Sequence, residues 1–341
     1  MQPEDTGNCD TVKRVIDIFS TFASMPLRSF EFALTSMSRA TCYRRVVEER
    51  SIHVLQQLRF ESAMNENDPL ESVAEAARTK TPIGLAVLDG LQANRLHQVL
   101  TEDVCRRLGI FVVPKGFKLS VIIPVFNEVN TVIQVIERVR RTELPLEIVL
   151  VDDGSQDGTR EKLAGLPASD DLKIILHDHN RGKGAALRTG FQHASGDAVV
   201  VQDADLEYDP DDFRFLIQPI VENEADVVYG TRYGHHDRQV PPLWHVFVNR
   251  LITRLTNLRT GLYLSDVETC YKVVRRELIA QLAPGLRENR FGIEIELTMK
   301  LARMRVRFYE RPIRYHRRSY HEGKKIGWRD GVRALYCMVR Y

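Results

Sequence analysis

From Lys118 onward, short β-branched runs alternate with amphipathic segments. That alternation restricts the fold more than any other feature, because it specifies βαβ units and a largely parallel sheet with helices on both faces. The strands read as Leu119–Val125, Leu146–Val151, Leu172–Leu176, Ala198–Gln202 and Asp226–Tyr229. The helices read as Val129–Arg140, Thr159–Leu166, Lys183–His193 and Pro210–Asn223. In an open sheet of this kind ligands collect where the strands end at their carboxyl side. Those ends are polar in this chain: Pro124, Asn127 and Glu128 after the first strand, Asp152 and Asp153 after the second, Asp203, Asp205 and Glu207 after the fourth, Thr231 and Arg232 after the fifth.

Composition narrows the class. With 43% apolar and 28% charged residues among 341, the chain has enough apolar side chain for a proper core, which excludes disordered and fibrous proteins. Its five cysteines are odd in number and far apart, without a C-x-x-C pair; this argues for a reducing cytosol and against a disulfide framework or a structural zinc site. No run approaches the roughly 18 apolar residues of a membrane span, and the polar, acidic start is unlike a signal peptide, so nothing is expected to cross a bilayer. The overall charge of +2 conceals an asymmetry. Residues 116–230 carry 21 acidic against 11 basic side chains, whereas residues 231–341 carry 10 against 23. An acidic middle suits a cation, and a basic C-terminal third suits an anionic partner. No DNA- or RNA-recognition motif accompanies the basic third, so nucleic acid is not expected.

Three domains are expected: a helical region over 1–115 of undefined role, an α/β domain over 116–320, and a basic amphipathic segment over 321–341 that suits an interfacial helix. Within the α/β domain, Gln202-Asp203-Ala204-Asp205-Leu206-Glu207 places three carboxylates at alternate positions directly after an apolar strand, where extended backbone turns them to one face. Asp203 and Asp205, with Glu207 less strongly, are therefore candidate ligands of a hard divalent cation. Tyr208 stands where an EF-hand requires glycine, which excludes that loop. Asp152-Asp153-Gly154-Ser155 ends a strand in a tight turn whose carboxylates can accept from a ribose or a base. Asn180-Arg181-Gly182-Lys183-Gly184 is not a Walker A loop, yet a lysine opening a helix can face a diphosphate.

Six segments together resemble the family 2 glycosyltransferases in order and spacing: Val121–Glu128 (VIIPVFNE), Asp152–Thr159 (DDGSQDGT), Asn180–Gly190 (NRGKGAALRTG), Gln202–Pro210 (QDADLEYDP), Gly230–Tyr233 (GTRY) and Asp266–Lys272 (DVETCYK). Within that family the chain looks most like the dolichyl-phosphate mannosyltransferase and polyprenyl-phosphate glucosyltransferase branch. The resemblance covers roughly residues 118–320. It implies a GT-A fold, a nucleotide-diphosphate-sugar donor (UDP- or GDP-linked), Mg²⁺ or Mn²⁺, and transfer with inversion. Carried over by position, Pro124, Phe126, Glu128 and Asp152, with Asp153 as a close alternative, line the nucleoside. Lys183, Asp203 and Ala204 belong with the donor site, and Asp203 and Asp205 form the D-x-D pair. Glu207 stands where this branch often has glutamine. Arg232 matches an arginine that faces phosphate, and Asp266 an acidic residue near the transferred sugar. Lys272 stands where an arginine is common.

A hydroxyl acceptor needs a general base, for which Asp266 comes first and Glu294 second, whereas a phosphate acceptor is already ionised and needs only cations to position it. The basic C-terminal third makes polyprenyl phosphate at the cytoplasmic face of a membrane the favoured acceptor, with peripheral contact to anionic lipid. A soluble transferase acting on a small phosphorylated acid or glycan is the second expectation, and a scaffold working through the N-terminal helices the third.

Overall fold

A computed structural model of the chain describes residues 111–234 and 243–318, together with Arg333, Tyr336, Cys337, Arg340 and Tyr341. The helical reading of the N-terminal region up to residue 110 and most of the amphipathic segment 321–341 lie outside the described residues. Seven strands form one sheet: β1 (Leu119–Val125), β2 (Leu146–Asp152), β3 (Leu172–Leu176), β4 (Ala198–Val201), β5 (Val227–Thr231), β6 (Lys272–Arg275) and β7 (Phe308–Pro312), in the order β3-β2-β1-β4-β6-β5-β7. Strands β1 to β4 are mutually parallel, β5 pairs parallel with β7, and β6 runs antiparallel to both β4 and β5. The sheet is thus mostly parallel and flanked by helices, as expected.

Strand β1 explains the layering. Leu119, Val121, Ile122, Ile123 and Val125 are all buried, so the strand presents apolar side chains to both faces and must be covered on both. Helix α1 (Val132–Arg141) supplies part of that cover through Val132, Val135, Ile136 and Val139, one face at i, i+3, i+4 and i+7. It starts three residues later than the sequence suggested, because Asn127 adopts a left-handed φ of 51° and the Val132 amide then donates to the Glu128 carbonyl. Helix α2 (Thr159–Ala164) follows β2, and α3 (Lys183–His193) follows β3. Helix α3 approaches β1 so closely that a Cβ on Gly190 would lie 2.3 Å from Ile122 Cγ2. Helices α4 (Phe213–Val221), α5 (Leu243–Thr260), α6 (Arg276–Leu282) and α7 (Ile293–Arg303) follow.

The chain lays β2 and β3 on one side of β1 and then crosses to place β4 on the other. The strand order therefore reverses between β1 and β4, and the carboxyl ends of β1, β2 and β4 open a crevice there. Among the described residues no helix is long and apolar enough to cross a membrane.

The Gly190 contact gives a direct test of the packing. Gly190→Ala is expected to destabilise the domain by about 1–3 kcal/mol, since the methyl meets a β-branched core side chain that has no room to retreat; chemical denaturation measures this.

Candidate active site

The first wall of the crevice is a pair of interlaced loops. After β1, the Asn127 amide donates to Ser155 Oγ (2.9 Å) and the Glu128 amide to Thr159 Oγ1 (3.0 Å), which fixes Pro124, Phe126 and Glu128 against the β2 loop. The two adjacent aspartates of that loop separate sharply in their surroundings. Asp153 accepts from the Arg181 amide (2.9 Å) and the Gly182 amide (2.7 Å) and meets His177 Nδ1 at 2.8 Å, so both its oxygens brace the loop leading into α3. Asp152 is fully buried and pairs through Oδ2 with Arg160 Nε (2.6 Å), while its Oδ1 has no protein partner. A buried acceptor left unpaired is costly unless something else supplies a donor.

Lys183 opens α3. Gly182, at φ +99°, lets the chain pass within contact of the Asn289 carbonyl, which accepts from the Gly184 (2.8 Å) and Ala185 (3.2 Å) amides. Those first amides of α3 are accordingly spent within the protein. The lysine side chain reaches Asp203 Oδ1 at 2.7 Å and Glu294 Oε1 at 3.2 Å. Burial works to lower its pKa, but the negative charges around it, led by Asp203, hold the ammonium well above the ordinary lysine value. On the far side of Glu294, Oε2 lies 2.5 Å from Lys272 Nζ, which also donates to the Thr269 carbonyl. Asp203, Lys183, Glu294 and Lys272 thus form one alternating row from the tip of β4 to α7 and the head of β6. Lys272 is 1% exposed, so it closes the row from within the sheet rather than from its rim.

Ala204 is buried beside the pair. Asp205 Oδ1 accepts from the Glu207 amide (3.1 Å). Burial, followed by the charges of Asp203 and Glu207, pushes the Asp205 carboxyl up to about 7. Glu207 faces a different set of partners: Oε2 accepts from the Tyr315 hydroxyl (2.5 Å) and Oε1 from the Arg318 amide (2.9 Å), and the Glu207 carbonyl accepts from the His316 amide (2.8 Å). Arg318 continues across the rim, with Nε on the Asp205 carbonyl (2.6 Å) and Nη2 3.2 Å from Glu128 Oε2. The 315–318 segment is therefore strapped over the carboxylate loop, and Glu207 is its buckle.

Arg232, just beyond β5, makes a two-pronged contact with Asp266, Nε to Oδ2 at 2.7 Å and Nη2 to Oδ1 at 2.8 Å, and lies 5.3 Å from the Tyr315 ring centre. Asp266 is fully buried, and Asn249 of α5 adds a third contact to its Oδ1 at 3.2 Å. Sequence reasoning passed over four members of this site. Asn249, Tyr315 and Arg318 come from segments whose proximity only the tertiary fold creates, although Arg318 falls in the basic run already noted. The fourth is Glu268, two residues from Asp266. Its Oε1 is enclosed without a partner, and burial pushes the carboxyl up to about 7 against the opposing charge of Lys272.

Two hard carboxylates at a sheet switch point, a half-buried lysine between two acids and an anchored arginine define a crevice suited to a polyanion and a hard cation. Comparison with known proteins agrees with this class. The glycosyl transferase family 2 model matches residues 120–283, just under half of the chain. An undecaprenyl-phosphate 4-deoxy-4-formamido-L-arabinose transferase of Yersinia enterocolitica is 32% identical over 169 residues, 48% of this chain and 50% of that protein. A dolichol-phosphate mannosyltransferase of Pyrococcus furiosus is 40% identical over 118 residues, 34% of this chain and 33% of that protein. The chain thus spans about half the length of the first of these relatives and a third of the second. Among solved structures, glucosyl-3-phosphoglycerate synthase of Mycobacterium tuberculosis, in complex with Mn²⁺, UDP and phosphoglyceric acid, superposes with a TM-score of 0.52 at 20% identity, over 66% of this chain and 78% of that one. The fold is GT-A-like.

The strap over the carboxylate loop can be probed directly. Glu207→Ala removes two acceptors worth about 2 kcal/mol together, so trypsin is expected to cut after Arg317 or Arg318 roughly thirtyfold faster. Glu207→Gln, which keeps an acceptor for the Arg318 amide, is expected to cleave at nearly the parental rate.

Proposed function

We propose that this domain transfers a sugar, with inversion at the anomeric carbon, from a UDP- or GDP-linked donor to an anionic phosphate acceptor, polyprenyl phosphate foremost, with Mg²⁺ or Mn²⁺ as its cation. The observation that carries the reading is the crowding of Asp203 and Asp205 at the β1/β4 switch point, where the Asp205 carboxyl is pushed up to about 7. Two acids in that position want a counter-cation. Oxygen donors suit Mg²⁺ or Mn²⁺ rather than softer metals. No group of three or more His, Cys, Asp or Glu side chains poised to hold a metal occurs among the described residues. A hard cation in such a site is held by one or two carboxylates and otherwise by donor phosphates. Asp203 and Asp205 would hold it, while Glu207 is committed to the strap. When bound, the cation neutralises charge that develops on the departing diphosphate.

The chain's own groups take the remaining roles. Asp152, through the unpaired Oδ1, accepts from an N–H of the base, with Pro124, Phe126, Glu128 and Ala204 around the nucleoside. Lys183 stands beside Asp203 to balance the diphosphate, and Glu294 and Lys272 hold it there. Arg232 faces phosphate, fixed in direction by Asp266. With each Asp266 oxygen accepting from Arg232, this carboxylate serves as a positioning residue, and a phosphate acceptor, ionised near neutral pH, requires no base. The names of the two polyprenyl-phosphate relatives support the acceptor class, and a lipid-linked acceptor of that class would place the domain beside a membrane.

The test is transfer by the full chain from UDP- and GDP-sugars to polyprenyl phosphate with Mn²⁺ or Mg²⁺. Chelation, Asp203→Asn and Asp205→Asn are each expected to lower turnover about 10²-fold or more. Asp152→Ala is expected to raise KM for the donor more than it lowers kcat, because the base contact is made equally in ground and transition states. Undiminished turnover in chelator would overturn the metal reading. Transfer to a small phosphorylated acid with none to lipid phosphate would move the acceptor to the soluble class.

A further inference from the structure

Helix α5 is amphipathic in the wrong sense for a water-facing helix. Its buried side is largely polar: Asn249, Thr253 and Thr256 are buried at i, i+4 and i+7, with Ile252 among them. Its exposed side is apolar, with Leu243 84% and Phe247 66% exposed, Leu251 and Leu255 also open, and Leu258 82% exposed near the end. Tyr263, just past the helix, is 99% exposed. Helices that face water carry the opposite arrangement. A contiguous apolar face of this kind marks an interaction surface.

The charges around this face select the partner. Leu243–Thr260 contains Arg250, Arg254 and Arg259 and no acidic residue. Arg250 and Arg254 are exposed and line the same shallow groove as Leu243, Phe247 and Leu251. A second copy of this chain would bring arginines against arginines with no carboxylate on the helix to meet them, which opposes self-association. An anionic lipid surface satisfies both halves at once, since the leucines and phenylalanine enter the acyl boundary while the guanidinium groups stay among the headgroup phosphates. The helix is about 27 Å long at 1.5 Å per residue. It does not meet the length and apolarity needed to cross a bilayer, so it lies on the surface.

The opposite face of α5 reaches the site. Asn249 Nδ2 contacts Asp266 Oδ1 at 3.2 Å and the Tyr233 hydroxyl at 2.9 Å, and the Val267 amide donates to Thr253 Oγ1 at 3.3 Å. We propose that the exposed face of α5 is the surface by which this chain docks on an anionic membrane, setting Arg232 and Asp266 one helix thickness from the headgroups. This deepens the lipid-phosphate reading of the site and rests on it. It assigns the contact to Leu243–Thr260 within the basic C-terminal third, whereas the sequence had pointed to the amphipathic segment 321–341.

The experiment is co-sedimentation of the full chain with vesicles free of polyprenyl phosphate, either pure phosphatidylcholine or phosphatidylcholine with phosphatidylglycerol. Three arginines near the surface predict partition about 10²-fold stronger onto the anionic vesicles at low salt. Phe247→Asp with Leu251→Asp is expected to remove binding to both kinds of vesicle. Arg250→Ala with Arg254→Ala is expected to remove mainly the preference for phosphatidylglycerol. Thermal melts within a degree or two of the parent would show that these exposed changes leave the fold intact. Equal binding by parent and variants overturns the proposal. So does a loss of dimer on Phe247→Asp/Leu251→Asp without vesicle binding by the parent, which would assign the face to a second copy. So does faster proteolysis of the first 110 residues in that variant without parental vesicle binding, which would assign it to the chain's own N-terminal region. Turnover on a short, water-soluble prenyl phosphate separates the two readings. Activity there without vesicle binding removes the docking face alone, and vesicle binding without activity removes the transferase reading alone.

Discussion

One lysine ammonium at the crevice holds this site together. Lys183 Nζ stands between Asp203 from the tip of β4 and Glu294 from α7, and Lys272 secures Glu294 from behind. Charges withdrawn from water are tolerated when each has an opposite neighbour, and removing one member leaves the next uncompensated. The row therefore couples four separate stretches of chain. The β3–α3 loop must be shaped to deliver the lysine, and that shape depends on Asp153 and His177. The two adjacent aspartates after β2 accordingly have separate tasks, Asp153 as scaffold for the lysine loop and Asp152 with one oxygen in reserve.

The division of labour among the acids after β4 follows from what each touches. Asp203 has a lysine, Asp205 has little beyond a backbone amide and its own acidic neighbours, and Glu207 has a tyrosine hydroxyl and a backbone amide. The alternate spacing of the three residues is the same in each case. Alternate spacing gives one face only in extended backbone, but residues 204–207 turn, with Leu206 at φ 62°, and Glu207 meets the 315–318 strap instead.

The first half of the domain was legible from hydrophobic pattern because β1 and β4 are buried almost throughout and read as near-continuous apolar runs, while edge strand β3 still carries four apolar residues out of five; Leu119–Val125, Leu172–Leu176 and Lys183–His193 fall where the pattern puts them. The second half was less so. Strand β6 has four residues and begins with a lysine, and its burial comes from neighbours far away in the chain. Strand β7 is an edge strand with alternating exposure and a glutamate and an arginine within it. Helix α5 shows apolar residues on the side that faces outward, so periodicity reports a face without saying which way it turns. At the site, residues at strand tips were visible because the chemistry of a parallel sheet announces them. Asn249, Tyr315 and Arg318 were not, since nothing local marks a side chain whose partner is tens or hundreds of residues away.

The antiparallel strand in the middle of the sheet sets an order on how the domain is made. Strand β5 has only β6 and β7 as neighbours, and both are synthesised after it. When the ribosome has delivered the first four strands they can close on one another, but β4 is left as an open edge and β5 has nowhere to pair until residue 272 emerges. In that interval the nascent chain carries an unpaired β-branched strand and the outward leucines of α5 together, the combination on which chaperones act.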